Sequence, residues 1–311
     1  MYLAAEHFVR APGWTWYILG YFFFAGLSGG SYALATLLRL VGDARDEAAA
    51  RIGFYVSFLT LLVCPVLLTA DLGVWTRFWH MLVNVTPGDS SLNFTYGSPM
   101  SVGVWALFVF GLFTTVSALE AFVLDRRARS TSSDGPARPL GGVLGRGFNI
   151  AGGILALFFA SYTGVLLSVS NQPIWSDTWM LGGLFLASGL SGSAALITLL
   201  TRYRADAVFS LGRLHEADGY FSILELLLLV AFFITIIAAG TAGLTVQFLP
   251  LWLLALVGIG SSLVVARGHM RIRPAGGAAV IARARTDTLV VSLLVLLGVL
   301  ALRAAVIFSA Q

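Results

Sequence analysis

The sequence predicts an all-α polytopic membrane protein with eight transmembrane helices in two four-helix bundles. Three observations carry this. Hydrophobic residues make up 58% of the 311 and charged residues 11%, too apolar a balance for a soluble core. The apolar residues fall into eight runs, each close to the ~20 residues a helix needs to cross a bilayer. The 19 basic residues are all arginines, and sixteen of them lie in or beside four alternate connections between the runs.

The spans are expected at roughly 14–39, 53–74, 100–124, 147–170, 178–201, 218–240, 247–266 and 287–308 by the length criterion. The leading MYLAAEHFVRAPG has no apolar region of its own, so span one itself is expected to insert the chain. Span one then carries the small-residue run A-G-L-S-G-G-S over 25–31. Span two holds the lone Cys64, which excludes an internal disulfide, and closes on Asp71. The following connection contains W-T-R-F-W-H, and span three starts at Ser98-Pro99, serine as cap and proline in the first turn. Beyond Glu120, the 125–146 segment is polar, contains proline and glycine, lacks an apolar period and reads as a mobile cytoplasmic linker. Span four carries Tyr162. Span five repeats span one: Gly26-Leu27-Ser28-Gly29 matches Gly189-Leu190-Ser191-Gly192, and after a one-residue slip five further positions match. The repeat is parallel and divides the chain at 1–175 and 176–311. Small residues at this spacing let helix backbones approach closely in lipid, a simpler reading than a phosphate loop. Asp218 and Glu225 fall in the first two turns of span six, and Arg303 falls within span eight.

The formal charge of +4 follows topology, not a nucleic-acid partner. The positive-inside rule puts the four arginine-rich connections in the cytoplasm, and both termini and the 75–99, 171–177 and 241–246 connections on the extracytoplasmic side of the cell membrane. Trp14, Trp16, Trp75, Trp79, Trp175 and Trp179 cluster at those outer ends, as an aromatic belt among membrane lipids would.

An ionisable residue inside a bilayer is costly and marks a functional candidate, so Asp71 stands out, although a helix-end cap would also account for it. At about 1.5 Å of rise per residue, Tyr21 lies roughly 10 Å inside the outer face, Asp71 within about 5 Å of it and Tyr162 about 12 Å below it. Three polar groups from three helices thus share one level. In the second half Leu184 replaces Tyr21. Two tyrosines, a carboxylate and neighbouring tryptophans such as Trp16 suit a planar headgroup with oxygen acceptors and an apolar tail, a quinone of the menaquinone or ubiquinone type, whose proton Asp71 could exchange. Haem is disfavoured: His7 and His80 lie at one end and His215 and His269 at the other, so no axial pair shares a depth. No ligands cluster for zinc or iron either, so no metal is expected in this chain. Glu120, Asp218 and Glu225 form a proton path with Asp71 or Arg303, or snorkel toward the basic loops; snorkelling is the preferred reading. Arg77 and His80, in the connection above Asp71, are candidates for contact with a partner.

The run A-G-L-S-G-G-S in span one, A-D-L-G-V-W-T-R-F-W-H followed by S-P-M-S-V-G-V-W, and S-Y-T-G-V-L-L-S-V-S-N-Q-P-I-W resemble the NrfD/PsrC family, integral membrane subunits of polysulfide-reductase-type molybdoenzyme complexes. The resemblance covers nearly the whole sequence. It implies a quinone pocket at the outer face, beside a four-cluster ferredoxin-like iron-sulfur subunit that in turn docks a molybdopterin catalytic subunit. By motif position it implies that Asp71, His80 and Tyr162 serve the quinone, with Tyr21 at a position that is histidine in some members. The resulting expectation is a quinone-reactive anchor that exchanges electrons between the quinone pool and an extracytoplasmic iron-sulfur partner. A secondary transporter is the chief alternative, since internal repeats and intramembrane polar groups also mark transporters; a purely structural anchor is a third.

Overall fold

The computed structural model describes residues 10–88, 91–129, 140–271 and 278–311, and of residues 268–271 and 278–287 the backbone alone. Residues 130–139 of the expected linker, His7, Asp89, Arg273 and the side chains of His269, Arg271, Arg283 and Arg285 lie outside that description.

Among the described residues the structure is built from eight long helices: α1 (Trp16–Val41), α2 (Glu47–Asp71), α3 (Pro99–Arg129), α4 (Gly142–Ser168), α5 (Leu181–Thr201), α6 (Leu211–Ala239), α7 (Leu249–Arg271) and α8 (Ala278–Phe308). Each contains a stretch long and apolar enough to cross a membrane. The only extended pairing among these residues is an isolated bridge between Val83 and Leu92. Local chemistry sets several ends. Thr15 caps α1 by accepting the Tyr17 N–H at 3.4 Å, and Ser98 caps α3 by accepting the Ser101 N–H at 3.4 Å, with Pro99 at the first helical position. Gly240, at φ 81°, closes α6 in the left-handed conformation glycine takes without strain.

Two helices begin earlier than hydropathy predicts. α2 starts at Glu47, not near 53, and α6 at Leu211, not near 218. An apolar window stops at charged residues, but here the charges pair and the helices run through them. Arg39 bonds Glu47 at 2.7 Å and Glu120 at 2.5 Å, Arg51 bonds Asp125 at 2.5 Å, and Arg213 reaches Asp46 and, at 2.6 Å, Asp43. Between α5 and α6, hydrogen bonds from Arg204 hold the Asp206 carboxyl below the usual carboxylate range, while Asp125 and Asp206 raise the Arg204 guanidinium. This layer closes the arginine end; the 72–98 connection and most tryptophans mark the opposite, tryptophan end.

α1 and α5 are central. α1 packs on α2, α4 and α5; α5 packs on α4, α6 and α8 as well. The two glycine runs meet there: a Cβ on Gly30 would lie 2.5 Å from the Gly189 carbonyl oxygen, and one on Gly189 3.0 Å from that of Gly26. The Ser193 hydroxyl donates to the Leu27 carbonyl at 3.0 Å. The small residues thus bring two backbones into contact, which in lipid is a main source of helix–helix attraction.

Candidate functional site

A cavity of about 660 Å³ opens at the tryptophan end between α1, α2, α3 and α4. That volume lies within the roughly 300–1,000 Å³ of small-molecule pockets. Its walls are largely apolar. Ile18 and Phe22 come from α1, Leu61 and Leu68 from α2, Leu107 from α3 and Leu166 from α4. Leu62, Phe108 and Leu112 edge it between α2 and α3 while half-exposed, so that side presents hydrocarbon-compatible surface.

Three ionisable polar groups interrupt the apolar lining: Tyr21, Asp71 and Tyr162. The structure therefore brings together the three residues singled out by depth. Their hydroxyls differ in a way the sequence could not show. Tyr162 donates to the carbonyl oxygen of Pro99, the first residue of α3. Tyr21 is 5% exposed, and its hydroxyl has no hydrogen-bond partner among the described residues. Asp71 is half-buried at the mouth and accepts a hydrogen bond from the Thr15 hydroxyl at 3.3 Å. A carboxylate on the last residue of a helix faces the negative end of that helix's dipole. Here the adjoining start of α1 offers the positive end, and Asp71 makes no bond to the backbone of its own helix. It is not a cap.

Residues not singled out in the sequence shape the cavity. Pro65, in the middle of α2, cannot offer an N–H to the carbonyl of Leu61, and both residues line the cavity at the level where the helix ladder is interrupted. Gly103 leaves room for the ring and hydroxyl of Tyr162, which a Cβ would strike. A 3-10 segment, Trp75–Met81, forms the roof and turns Phe78 and Met81 inward. Asn93 ties it down, donating to the His80 carbonyl at 3.0 Å and accepting from the Trp105 indole at 3.0 Å.

Two expected contacts fall elsewhere. Trp16 is 73% exposed and packs edge-on against Phe308, and Trp14 lines the cavity in its place. The reason is helical phase: 14, 18 and 21 share a face, and 16 points away from it. His80 sits edge-on to Trp79, ring centroids 4.3 Å apart, and does not line the cavity; Arg77 is exposed on the roof. Trp14 stacks on Trp175 at 5.0 Å, and Trp175 donates to the Val306 carbonyl at 2.8 Å. The residue before it, Ile174, holds φ 70°, a strained conformation for a β-branched side chain, with its N–H bonded to Asp177 at 2.8 Å.

The deeper acids do not snorkel. Glu120 is buried against Arg39 and accepts the Leu140 N–H at 3.1 Å, so it belongs to the arginine-end layer. With α6 starting at Leu211, Asp218 lies in its third turn and Glu225 two turns deeper, both buried. They are too far inside to reach the basic loops, and they face serines of α5 and α7. Among the described residues no three His, Cys, Asp or Glu side chains gather as metal ligands.

Fold and cavity define a class: a polytopic membrane protein holding a small-molecule cavity near one membrane face, lined by apolar side chains and a few polar groups. The protein belongs to the family described as "Polysulphide reductase, NrfD", whose profile matches residues 5–311. It is similar to a membrane-family relative named as one of the chains of polysulfide reductase in Wolinella succinogenes, 28% identical over 315 residues that span 96% of this sequence and 94% of that one. Protein NrfD of Escherichia coli strain K12 is 29% identical over 259 residues, 77% of this sequence and 76% of that protein. A protein named as one of the subunits of selenate reductase in Mesobacillus selenatarsenatis is 28% identical over 123 residues, 38% of this sequence and 26% of that protein.

Proposed function

We propose that this protein is the quinone-reactive membrane subunit of an oxidoreductase complex, exchanging electrons between the quinone pool and an iron-sulfur subunit on the extracytoplasmic side. The observation that carries the reading is the cavity itself, where an unpartnered phenol, a half-buried carboxylate and an anchored phenol interrupt walls otherwise largely apolar. Membership of a family whose relatives include subunits named for polysulfide and selenate reductases supports it. A bound quinone supplies two-electron, two-proton redox chemistry. Tyr21 donates its free hydroxyl to a ring oxygen, and Asp71 at the mouth gives or takes a proton, oriented by Thr15. Tyr162, tied to Pro99, is a fixed wall that sets the plane of the ring. The side between α2 and α3 admits the apolar tail.

The roof over Asp71 is the docking surface for a four-cluster ferredoxin-like subunit, with Arg77 exposed and His80 beside Trp79, and a molybdopterin catalytic subunit lies beyond it. Both termini then lie outside, since sixteen of the 19 arginines sit at the other face. The test is Asp71→Asn in the assembled complex. Quinone-linked turnover should fall by about 10²–10⁴-fold, the range for a positioned proton-transfer group, while turnover with a soluble artificial electron carrier persists. Unchanged quinone-linked rates would remove Asp71 from the chemistry and leave the cavity without its main argument.

A further inference from the structure

The half of the molecule that lacks the cavity holds a column of buried polar groups that the quinone chemistry above does not use. Asp218, Ser222 and Glu225 follow one another along a single face of α6, at the i, i+4, i+7 spacing of a helical stripe, and all three are buried. The Ser191 hydroxyl of α5 donates to Asp218 Oδ1 at 2.7 Å and lies 3.2 Å from the Ser222 hydroxyl, which in turn donates to Ser262 of α7 at 2.8 Å. Glu225 is left over: its Oε2 is buried and has no hydrogen-bond partner among the described residues.

Above it stands Arg303 of α8, 0% exposed. It donates to the Ser188 hydroxyl at 2.8 Å and to the carbonyls of Phe185 at 3.1 Å and Phe22 at 3.3 Å, and its guanidinium lies over the Phe185 ring. No carboxylate of the described residues lies within ion-pair distance of it. Phe22, whose carbonyl it holds, lines the cavity next to Tyr21. The column therefore begins in the third turn of α6 at the arginine end and stops at the cavity wall. Besides Asp218 and Arg303, the nearest titratable group is His215, one turn of α6 before Asp218; α5 over 181–201 and α7 over 249–266 contribute no charged residue.

A carboxyl oxygen buried without a donor is expensive, and doubly so inside a membrane. Such a group persists where it carries a proton or meets one in transit, and the orphaned oxygen lies between a hydroxyl-lined acid and a fixed cation. We infer that Asp218 and Glu225 are a proton-uptake route from the arginine end to the cavity, with Arg303 as the positioning residue at its upper end. The inference rests on the quinone reading of the cavity. Reduction of a quinone consumes two electrons and two protons; Asp71 serves one proton at the mouth, and the column supplies the other from the opposite face. Each transfer moves one proton from water at the arginine end to a carboxylate, which becomes an acid and then releases that proton toward the Tyr21 side of the cavity. No electron travels along the column. Glu120, paired with Arg39, is not on the route.

The experiment reconstitutes the complex in sealed vesicles containing a trapped pH-sensitive dye and quinone in the membrane. A membrane-impermeant electron donor then drives only complexes whose tryptophan end faces out. The lumen should lose one proton for every two electrons delivered. Glu225→Gln and Asp218→Asn should each cut lumenal uptake at least tenfold and slow quinone reduction, while Glu120→Gln changes neither ratio nor rate. Infrared difference spectra of the full-length protein in detergent, recorded across pH, should contain a protonated-carboxyl band that Glu225→Gln removes and Arg303→Gln shifts. Quinone reduction with a silent lumen, or wild-type uptake in both acid variants, overturns the route while leaving the quinone reading intact. If the complex reduces no quinone and no quinone analogue quenches the fluorescence of Trp14 on the cavity wall, the quinone reading itself fails. Loss of the infrared band in neither acid variant overturns proton binding by the column whatever the fate of the quinone.

Discussion

Tyr21 and Tyr162 line the same cavity with the same side chain, and the structure assigns them opposite energetics. Removing the hydroxyl of Tyr162 breaks its bond to the Pro99 carbonyl, a net hydrogen bond of about 1 kcal/mol between α4 and the first turn of α3. Removing that of Tyr21 breaks nothing within the described residues, because that hydroxyl has no partner there. If Tyr21 is the donor to the ligand, Tyr21→Phe should cost about 1 kcal/mol of binding, close to a fivefold loss when 1.4 kcal/mol is tenfold. Tyr162→Phe should move affinity less and lower the melting temperature in detergent; Tyr21→Phe should leave that temperature unchanged or slightly raised. Both quantities are accessible on one preparation, affinity from quenching of tryptophan fluorescence by a soluble quinone analogue and stability from a thermal scan. Normal stability with lost affinity in Tyr162→Phe, and no effect of Tyr21→Phe on either, would reverse the assignment and refute the reasoning from hydrogen-bond partners.

Gly103→Ala should push the Tyr162 ring into the cavity and weaken analogue binding more than Tyr162→Phe does, because its Cβ meets the ring as well as the hydroxyl. Gly30→Ala should destabilise the protein in detergent by about 1–3 kcal/mol, the usual cost of overpacking, because its Cβ meets the backbone of α5. Gly260→Ala, with nothing within 4 Å, should be neutral or stabilising in the same scan. Arg77→Glu should reduce recovery of the iron-sulfur subunit with the purified complex; full recovery would show that Arg77 meets only lipid headgroups.

The number of helices and the caps at Ser98 and Pro99 were legible because each is decided by local chemistry: about twenty apolar residues in a row, or a hydroxyl three residues before an orphan N–H. Trp14 was legible too, but only through phase. Proximity in sequence favours Trp16 as a neighbour of Tyr21, whereas the roughly 100° step of a helix selects positions 14 and 18. The state of each phenol could not be read, because the partner of Tyr162 lies on another helix 63 residues away. Hydropathy misled about the acids of α6, since a window that ends at the first cluster of charges takes the edge of the apolar run for the edge of the helix. Arg213 and Glu216 are charged, yet Arg213 is held by Asp43 and Asp46, so α6 continues through them and carries Asp218 and Glu225 into the interior. The same point applies to Arg303. As the single charge in an apolar run of span length it met the criterion that drew attention to Asp71, and it lacked only neighbours in sequence. Its neighbours are Ser188, Phe185 and Phe22, one small hydroxyl and two backbone carbonyls, which no composition or spacing rule marks as a cation's partners. Intramembrane charge is therefore the more informative signal in this protein: read without regard to neighbouring motifs, it points to Asp71, Glu225 and Arg303 together.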